Sequence, residues 1–566
     1  MSLDQNTIAE AVSIAGTVAV DIETYGQEKN GGLDPWRGNI RVVTLAVPGM
    51  PPWLLDLKQT GGLSPALLTA ISGATFVAHN AKFDLLWLAI KFGIRPKRVF
   101  CTMTASRLLT AGTNERNGLD RVLLRHLKVE PEKDQSRSDW GGLFLTEEQM
   151  DYAIGDVGHL HELRQVLEKE IDGAGLAEVS CLEMDLIPVV LSMEEAGIAV
   201  DADQLGRLRD EAVSNAQEAR GRLSDVLKTP SLNPNSTKQL MAALSRVGIR
   251  VGNTKESTLA RADDGKIIPL ILSFREHEKL VQYATGLLEA IQSDGRIHSS
   301  FDPTGADTGR FSSKNPNLQS VPRGPMRSCF VAGQGKALVI ADYSQIELRA
   351  VAAIACEENM LAAFARGEDL HRLTAAAILN KSPGDVTKED RQVAKSANFG
   401  LIYGQTADGF AAYAKTKYGV TLTISQATQI RTRFFDSYPG IARWHDECRY
   451  RAHDGVSEAR TMLGRRRLIP SSAVFWDRFT ALVNAPVQGG CADVIKAAMV
   501  GLDTSLPGCA RLVSTVHDEL IVECSADSAD RVAETLRQTM IDAMRGIFPE
   551  VKPDAEVITG SNWGAK

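Results

Sequence analysis

Asp342 and Asp518 lie far apart in the chain but in matching settings. Ala337-Leu-Val-Ile-Ala-Asp342-Tyr-Ser-Gln-Ile-Glu347-Leu-Arg349 and Leu512-Val-Ser-Thr-Val-His517-Asp518-Glu519-Leu-Ile-Val-Glu523 each set an aspartate at the end of a β-like apolar run. Such strands are usually buried, and a bare buried carboxylate is costly unless its charge is offset. Divalent cations can offset it. Two aspartates on neighbouring strands can hold two Mg²⁺ (or Mn²⁺) ions, and two such ions can clamp a phosphoryl transfer. The chemistry expected is nucleotidyl transfer.

A second constellation precedes it. Asp21 and Glu23 are two apart on a predicted strand, so both point to one face. Asp84 falls where a helix is expected to begin, and Tyr152 and Asp156 are four apart on a predicted helix. Four negative charges need cations, and two divalent ions are implied. One would turn a water into hydroxide and the other would stabilise a leaving 3′ oxygen, with Tyr152 orienting the attacking water.

Other elements must position these groups. Residues 17–178 read as α/β, with strand-like runs at 17–24, 41–47 and 75–79. Thr146-Glu-Glu-Gln149 is a capping box opening the helix of Tyr152 and Asp156. Residues 180–228 read as helical, 229–236 as a turn-rich loop and 351–470 as mostly helical. The two runs around His517-Asp518 predict a hairpin with those residues at its turn. Arg391, Lys395, Phe399 and Tyr403 recur every four residues, which sets them on one drifting helical face. Its two cations would suit phosphates.

The bulk numbers bound the class. The 566 residues imply several domains. The eight cysteines form no Cys-x-x-Cys pair, which fits reduced thiols in a cytoplasmic protein. No membrane span or signal peptide is expected. The net charge of −7 is unusual for a DNA binder, but metal-binding carboxylates contribute to it and a local basic groove matters more. Arg323, Arg327, Arg465, Arg466 and Arg467 are candidates for basic patches.

The motifs DYSQIELR and VHDEL resemble the two metal-binding motifs of family A DNA polymerases of the bacterial DNA polymerase I type. The resemblance runs from about Thr17 to the C-terminus. Asp21, Glu23, Asp84, Tyr152 and Asp156, with Gly118-Leu-Asp-Arg-Val-Leu123 between them, resemble the 3′–5′ proofreading exonucleases on a ribonuclease H-like fold. The resemblance implies an exonuclease domain at 1–178 and a right-hand polymerase. Thumb and the start of the palm would span 179–300, palm 301–350, fingers 351–470 and the rest of the palm 471–566. It implies metal ligation by Asp342, the Tyr343 carbonyl and Asp518. It implies dNTP contacts from Gln345, Glu347, His371, Arg391, Lys395, Phe399 and Tyr403, with Glu347 a steric gate against a 2′-hydroxyl. Arg310, Asn317, Gln319, Asn484, Gln488 and His517 would contact primer-template DNA, and the loop 231–240 would grip phosphates. Thr480 departs from an arginine common in the family, and Gly490 from a threonine. The expectation is a monomeric, template-directed DNA polymerase with proofreading and no 5′ nuclease domain. Its rivals are a nuclease with a DNA-binding half, a replication scaffold and an RNA polymerase on the same fold.

Overall fold

The computed structural model describes residues 4–27, 31–130, 135, 137–262 and 265–565. The N-terminal body is built on five strands, β1 (Thr17–Tyr25), β2 (Asn39–Ala46), β3 (Trp53–Asp56), β4 (Thr75–Ala78) and β5 (Arg98–Cys101), in the order β3-β2-β1-β4-β5. β1 pairs antiparallel with β2 and parallel with β4. Val18, Ala19 and Val20 of this central strand are fully buried, as β-branched and small residues between covered faces should be. Residues 17–24, 41–47 and 75–79 thus form strands close to the expected bounds. The four-residue β3 and β5 were not foreseen.

The helix Ala177–Ala196 joins the two halves of the molecule. Val179, Met184, Ile187 and Leu191 belong to the N-terminal core. Leu186, Val189, Val190 and Met193 belong to the large C-terminal core. A boundary at 178 therefore falls at the start of a shared helix. The helical tract expected over 180–228 is interrupted. Gly197 ends the helix with φ +56, and a Cβ there would lie 2.8 Å from the His298 ring. A three-residue strand, β6 (Ile198–Val200), follows, and the Asp201 carboxylate then caps the helix Ala202–Val226 through Gln204 N at 2.8 Å. That helix packs along Ile267–Ala290, and their outer ends enclose a small separate core of Leu223, Leu232, Leu240, Leu244 and Ile268.

Short strands continue the chain: β7 (Arg296–Ile297), β8 (Ser300–Asp302), β9 (Ser312–Lys314) and β10 (Phe330–Val331). β6 lies between β10 and β7, and β8 pairs with β9. β11 (Lys336–Tyr343) then begins the main C-terminal sheet. Helices fill 346–453 as expected, and the hairpin β12 (Glu458–Arg460) and β13 (Arg466–Leu468) closes that tract. This hairpin docks back on the N-terminal body, where Leu468 N donates to Ala111 O at 2.7 Å. The 31-residue helix Phe475–Ser505 leads to β14 (Ala510–Val516), β15 (Glu519–Ser525), the helix Ala529–Ile547 and β16 (Ala555–Gly560). The sheet order is β14-β15-β11-β16, antiparallel throughout. A boundary at 350 cuts the helix Ile346–Ile354. Among the described residues no helix is long and apolar enough to cross a membrane.

Candidate active sites

β11 alternates its side chains across the sheet. The Tyr343 hydroxyl donates to Met540 O at 2.6 Å on the helix Ala529–Ile547, so the neighbouring Asp342 faces the other way. There Asp342 is paired in register with Glu519 of β15 and Glu556 of β16. Residues paired across antiparallel strands share a face. β14 and β15 form the expected hairpin, with His517 and Asp518 as its two-residue turn and φ +58 at His517. The turn is tied down twice. Tyr343 N donates to Asp518 O at 3.4 Å. The Gln319 amide donates to Thr515 O at 2.9 Å and accepts from His517 N at 3.0 Å. Asp342 and Asp518 thereby line one cavity of about 630 Å³.

The opposite wall comes from the helix Lys388–Leu401. Arg391, Lys395 and Phe399 line the cavity with His371, Gln345 and Glu347. Tyr403 departs from the expected helical face: the helix ends at Leu401, and Gly404 with φ +77 turns the chain. Its hydroxyl nevertheless reaches the site, donating to Glu347 Oε2 at 2.7 Å, while Arg310 Nη2 donates to Glu347 Oε1 at 2.5 Å. Burial, then the charge of Glu347, raise the Tyr403 phenol above its ordinary value, so it stays a donor. Burial, then the cations Arg391 and Lys395, push His371 down to about 4. It is neutral at pH 7, and its Nδ1 accepts from Asn398 Nδ2 at 2.8 Å. Arg391 Nε is 2.7 Å from Asp369.

The expected DNA contacts divide. Arg310, Gln319 and His517 line the cavity. Gln319, however, spends its amide on the hairpin turn, and Asn317 spends its own on Gln319 N at 3.0 Å and Ser320 Oγ at 3.1 Å. Asn484 and Gln488 lie one turn apart on the long helix, whose Cys491, Ala492 and Ile495 reach the cavity. Thr480, one turn before Asn484, is exposed, and Arg478 is turned aside to Ser471 O at 2.8 Å. Arg465 is no surface cation: it is buried in ion pairs. Arg327 is likewise engaged, with Glu519 at 3.2 Å and over the Trp563 ring. Glu556 was missed by sequence reasoning. Its only signal is strand register, which pairs it with Asp342.

The N-terminal constellation also assembles. Asp21 and Glu23 leave the same face of β1. Thr146 and Gln149 form the capping box of the helix Glu147–Gly158, which brings Asp156 to them. Carboxylate oxygens of Asp21, Glu23 and Asp156 lie within 4.8 Å of one another. Asp84, 2% exposed in the first turn of the helix Ala81–Phe92, accepts from Ile22 N at 3.3 Å. Burial, then Asp84, Asp156 and Glu23, hold the Asp21 carboxyl well above its usual range. Burial likewise raises Asp84. The Tyr152 phenol is raised by burial and by Asp156, to which it hydrogen-bonds. Such crowding of oxygen donors suits hard divalent cations, whose charge would offset the repulsion.

Comparison with known proteins bears on both sites. The family model for DNA polymerase family A matches residues 202–565, and that for a 3′–5′ exonuclease matches residues 57–172. The DNA polymerase I of Aquifex aeolicus is 34% identical over 542 residues, covering 90% of this chain and 91% of that protein. The DNA polymerase I of Pseudomonas aeruginosa is 34% identical over 524 residues, 86% of this chain but 56% of its own length. The POL domain of Pol1 from M. smegmatis, solved in complex with DNA primer-template and dNTP, superposes with a TM-score of 0.86 at 26% identity, covering 100% of this chain and 99% of that one.

Proposed function

Since the chain belongs to DNA polymerase family A and carries a 3′–5′ exonuclease domain, we propose that it extends a primer 3′ end with dNTPs at the Asp342–Asp518 pocket and trims 3′ ends at the Asp21–Asp156 cluster. The observation that carries this reading is the pairing of carboxylates and cations across one cavity: Asp342 and Asp518 on the sheet, Arg391 and Lys395 on the helix opposite.

The division of labour follows from each group's chemistry. Asp342, Asp518 and the Tyr343 carbonyl would hold two Mg²⁺ (or Mn²⁺) ions, as would Asp21, Glu23, Asp84 and Asp156. When bound, the ions supply Lewis acidity for the attacking and leaving oxygens. Arg391 and Lys395 hold the β- and γ-phosphates as charge-assisted donors. His371, neutral at pH 7, adds a hydrogen bond to a phosphate through Nε2. Phe399 packs on the sugar, and Gln345 and Tyr403 shape the rest of the nucleotide pocket. Glu347, fixed by Tyr403 and Arg310, leaves no room for a 2′-hydroxyl. Arg310 and His517 approach the minor-groove edge of the terminal pair, with Asn484 and Gln488 beside them, where acceptors lie alike in every pair. Asn317 and Gln319 act at one remove, by shaping the loop and turn that face the DNA. In the N-terminal site Tyr152 orients the attacking water.

In this reading the thumb and the start of the palm correspond to 179–300, the rest of the palm to 301–350 and 471–566, and the fingers to 351–470. The working form is a monomer on primer-template DNA. One gel tests the whole: a labelled primer on a longer template, with Mg²⁺, with and without dNTPs. Extension with dNTPs and shortening without them are expected. Shortening alone would favour a nuclease with a DNA-binding half.

A further inference from the structure

Behind the polymerase pocket lie four buried charges from three distant segments. Glu183 comes from the helix Ala177–Ala196, Arg465 from the turn before β13, and Asp493 and Lys496 from the long helix Phe475–Ser505. Arg465 Nη2 is 2.5 Å from Glu183 Oε1 and its Nε is 2.6 Å from Asp493 Oδ1. Lys496 Nζ also donates to Glu183 Oε1, and Thr461 Oγ1 donates to Asp493 Oδ2 at 2.7 Å. Two cations balance two anions, and every side chain in the set is at most 4% exposed. Burying four charges is expensive, and such sets are weak devices for stability. Their better-attested use is to impose one arrangement.

The arrangement they impose is that of residues 308–311. The Arg465 stem lies against Gly309, where a Cβ would come within 2.7 Å of Arg465 Cδ. Gly309 has φ +80, open to glycine at little cost. Lys496 Nζ stands 5.7 Å from the centre of the Phe311 ring. Thr461, bonded to Asp493, packs on Gly489, where a Cβ would lie 3.0 Å from Thr308 O. Residues on both sides of Arg310 thus rest on the cluster. Arg310 itself points into the pocket and meets Glu347.

We propose that Glu183, Arg465, Asp493 and Lys496 form a positioning cluster that fixes the backbone at Arg310 and so sets how the pocket holds the primer terminus. The inference rests on the reading of Arg310 as a contact to that terminus. None of the four cluster residues lines the polymerase pocket. They act through the direction in which Arg310 leaves the chain, where an error of about 1 Å can cost on the order of 100-fold in rate.

The test is a double-mutant cycle on the full-length chain. Glu183→Gln removes one charge at constant shape. Arg465→Lys keeps the charge but loses the rigid fork whose Nε and Nη2 reach Asp493 and Glu183 separately. Each is made with Arg310 intact and with Arg310→Ala. The readouts are single-turnover extension of matched and mismatched primer ends, trimming of single-stranded DNA, and Tm. With Arg310 intact, each variant should lower kcat/KM for matched extension on the order of tenfold and narrow the preference for a matched end, with trimming held within about twofold. In the Arg310→Ala background each should cost less than about twofold. Full, multiplicative losses in both backgrounds, or unchanged extension in folded variants, would overturn the inference alone. An Arg310→Ala variant that extends normally would overturn the reading of Arg310 and the inference with it. Failure of both cluster variants to fold would assign the cluster to stability and also end the proposal.

Discussion

The amide of Tyr343 donates to the carbonyl oxygen of Asp518 across 3.4 Å. This bond ties β11 to the turn of the β14–β15 hairpin where the two carboxylates emerge, and it brings Asp518 beside Asp342. Asp342→Ala should lower primer extension by at least about 10³-fold, because the phosphoryl-transfer centre loses one of its two aspartates. Trimming of single-stranded DNA should be unchanged, since Asp21 and Asp156 stand on a separate sheet and helix. A gel with and without dNTPs reads both rates. Loss of both would mean that the two halves do not work independently.

Phe399→Tyr should ease incorporation of dideoxynucleotides on the order of tenfold. The Phe399 ring lines the pocket 5.8 Å from His371, and a phenol there can replace the hydrogen bond that a missing sugar hydroxyl would make. Competition between a dNTP and its dideoxy analogue measures this directly. Unchanged discrimination would mean that Phe399 does not face the sugar.

Glu347→Ala should lower the preference for dNTPs over rNTPs by about 10- to 100-fold, since it opens the space a 2′-hydroxyl would need. Extension with dNTPs should also slow, because the carboxylate anchors both Arg310 and Tyr403. Incorporation rates for the two sugars, measured on the same template, separate the effects. An unaltered sugar preference would remove Glu347 as the gate.

Local signals carried much of this into view. β1, β11 and the β14–β15 hairpin are apolar runs that end on or carry carboxylates, and the helix of Tyr152 and Asp156 announces itself through its capping box. What stayed hidden depends on distant partners. β6 has three residues inside a helical tract and exists because β10 and β7 flank it. Four-residue spacing predicted a helix through Tyr403, yet the turn at Gly404 ends it and Glu347 draws the phenol back. Nothing in Arg465-Arg466-Arg467 tells which arginine turns inward. Glu183 and Asp493 decide that. Glu556 joins Asp342 only through the register of β16.

Asp21→Asn should lower trimming by about 10³-fold and weaken the response of stability to metal. Burial, then Asp84, Asp156 and Glu23, raise the Asp21 carboxyl in the folded state above its unfolded value. Its charge therefore opposes folding at neutral pH, and that cost lifts as pH falls through the raised pKa or as a cation binds. In EDTA at pH 7 the variant should melt above the unmodified chain. Mg²⁺ should raise the Tm of the unmodified chain more than that of the variant. Equal Mg²⁺ shifts would mean that Asp21 contributes nothing to a cation site.

Stability should fall as pH drops from about 6.5 toward 4, before ordinary carboxylates protonate. Burial, the largest cause in each, pushes His79, His371 and His445 down to about 4. His445 is fully buried among Phe435, Trp444 and Phe479, with Nε2 donating to Ile402 O at 2.9 Å and Nδ1 lacking a partner among the described residues. Below 6.5 the unfolded chain takes up these protons while the folded chain resists them, so the stability is whole above 6.5 and is lost on acidification. Asp21 and Asp84 work in the opposite sense, which makes Asp21→Asn the cleaner background. There, replacing His445 by Gln should remove about 2 kcal/mol of the loss between pH 6.5 and 4. Thermal melts at half-unit pH steps measure the slope. A Tm that stays flat from pH 6.5 to 5 would mean that these imidazoles protonate in place.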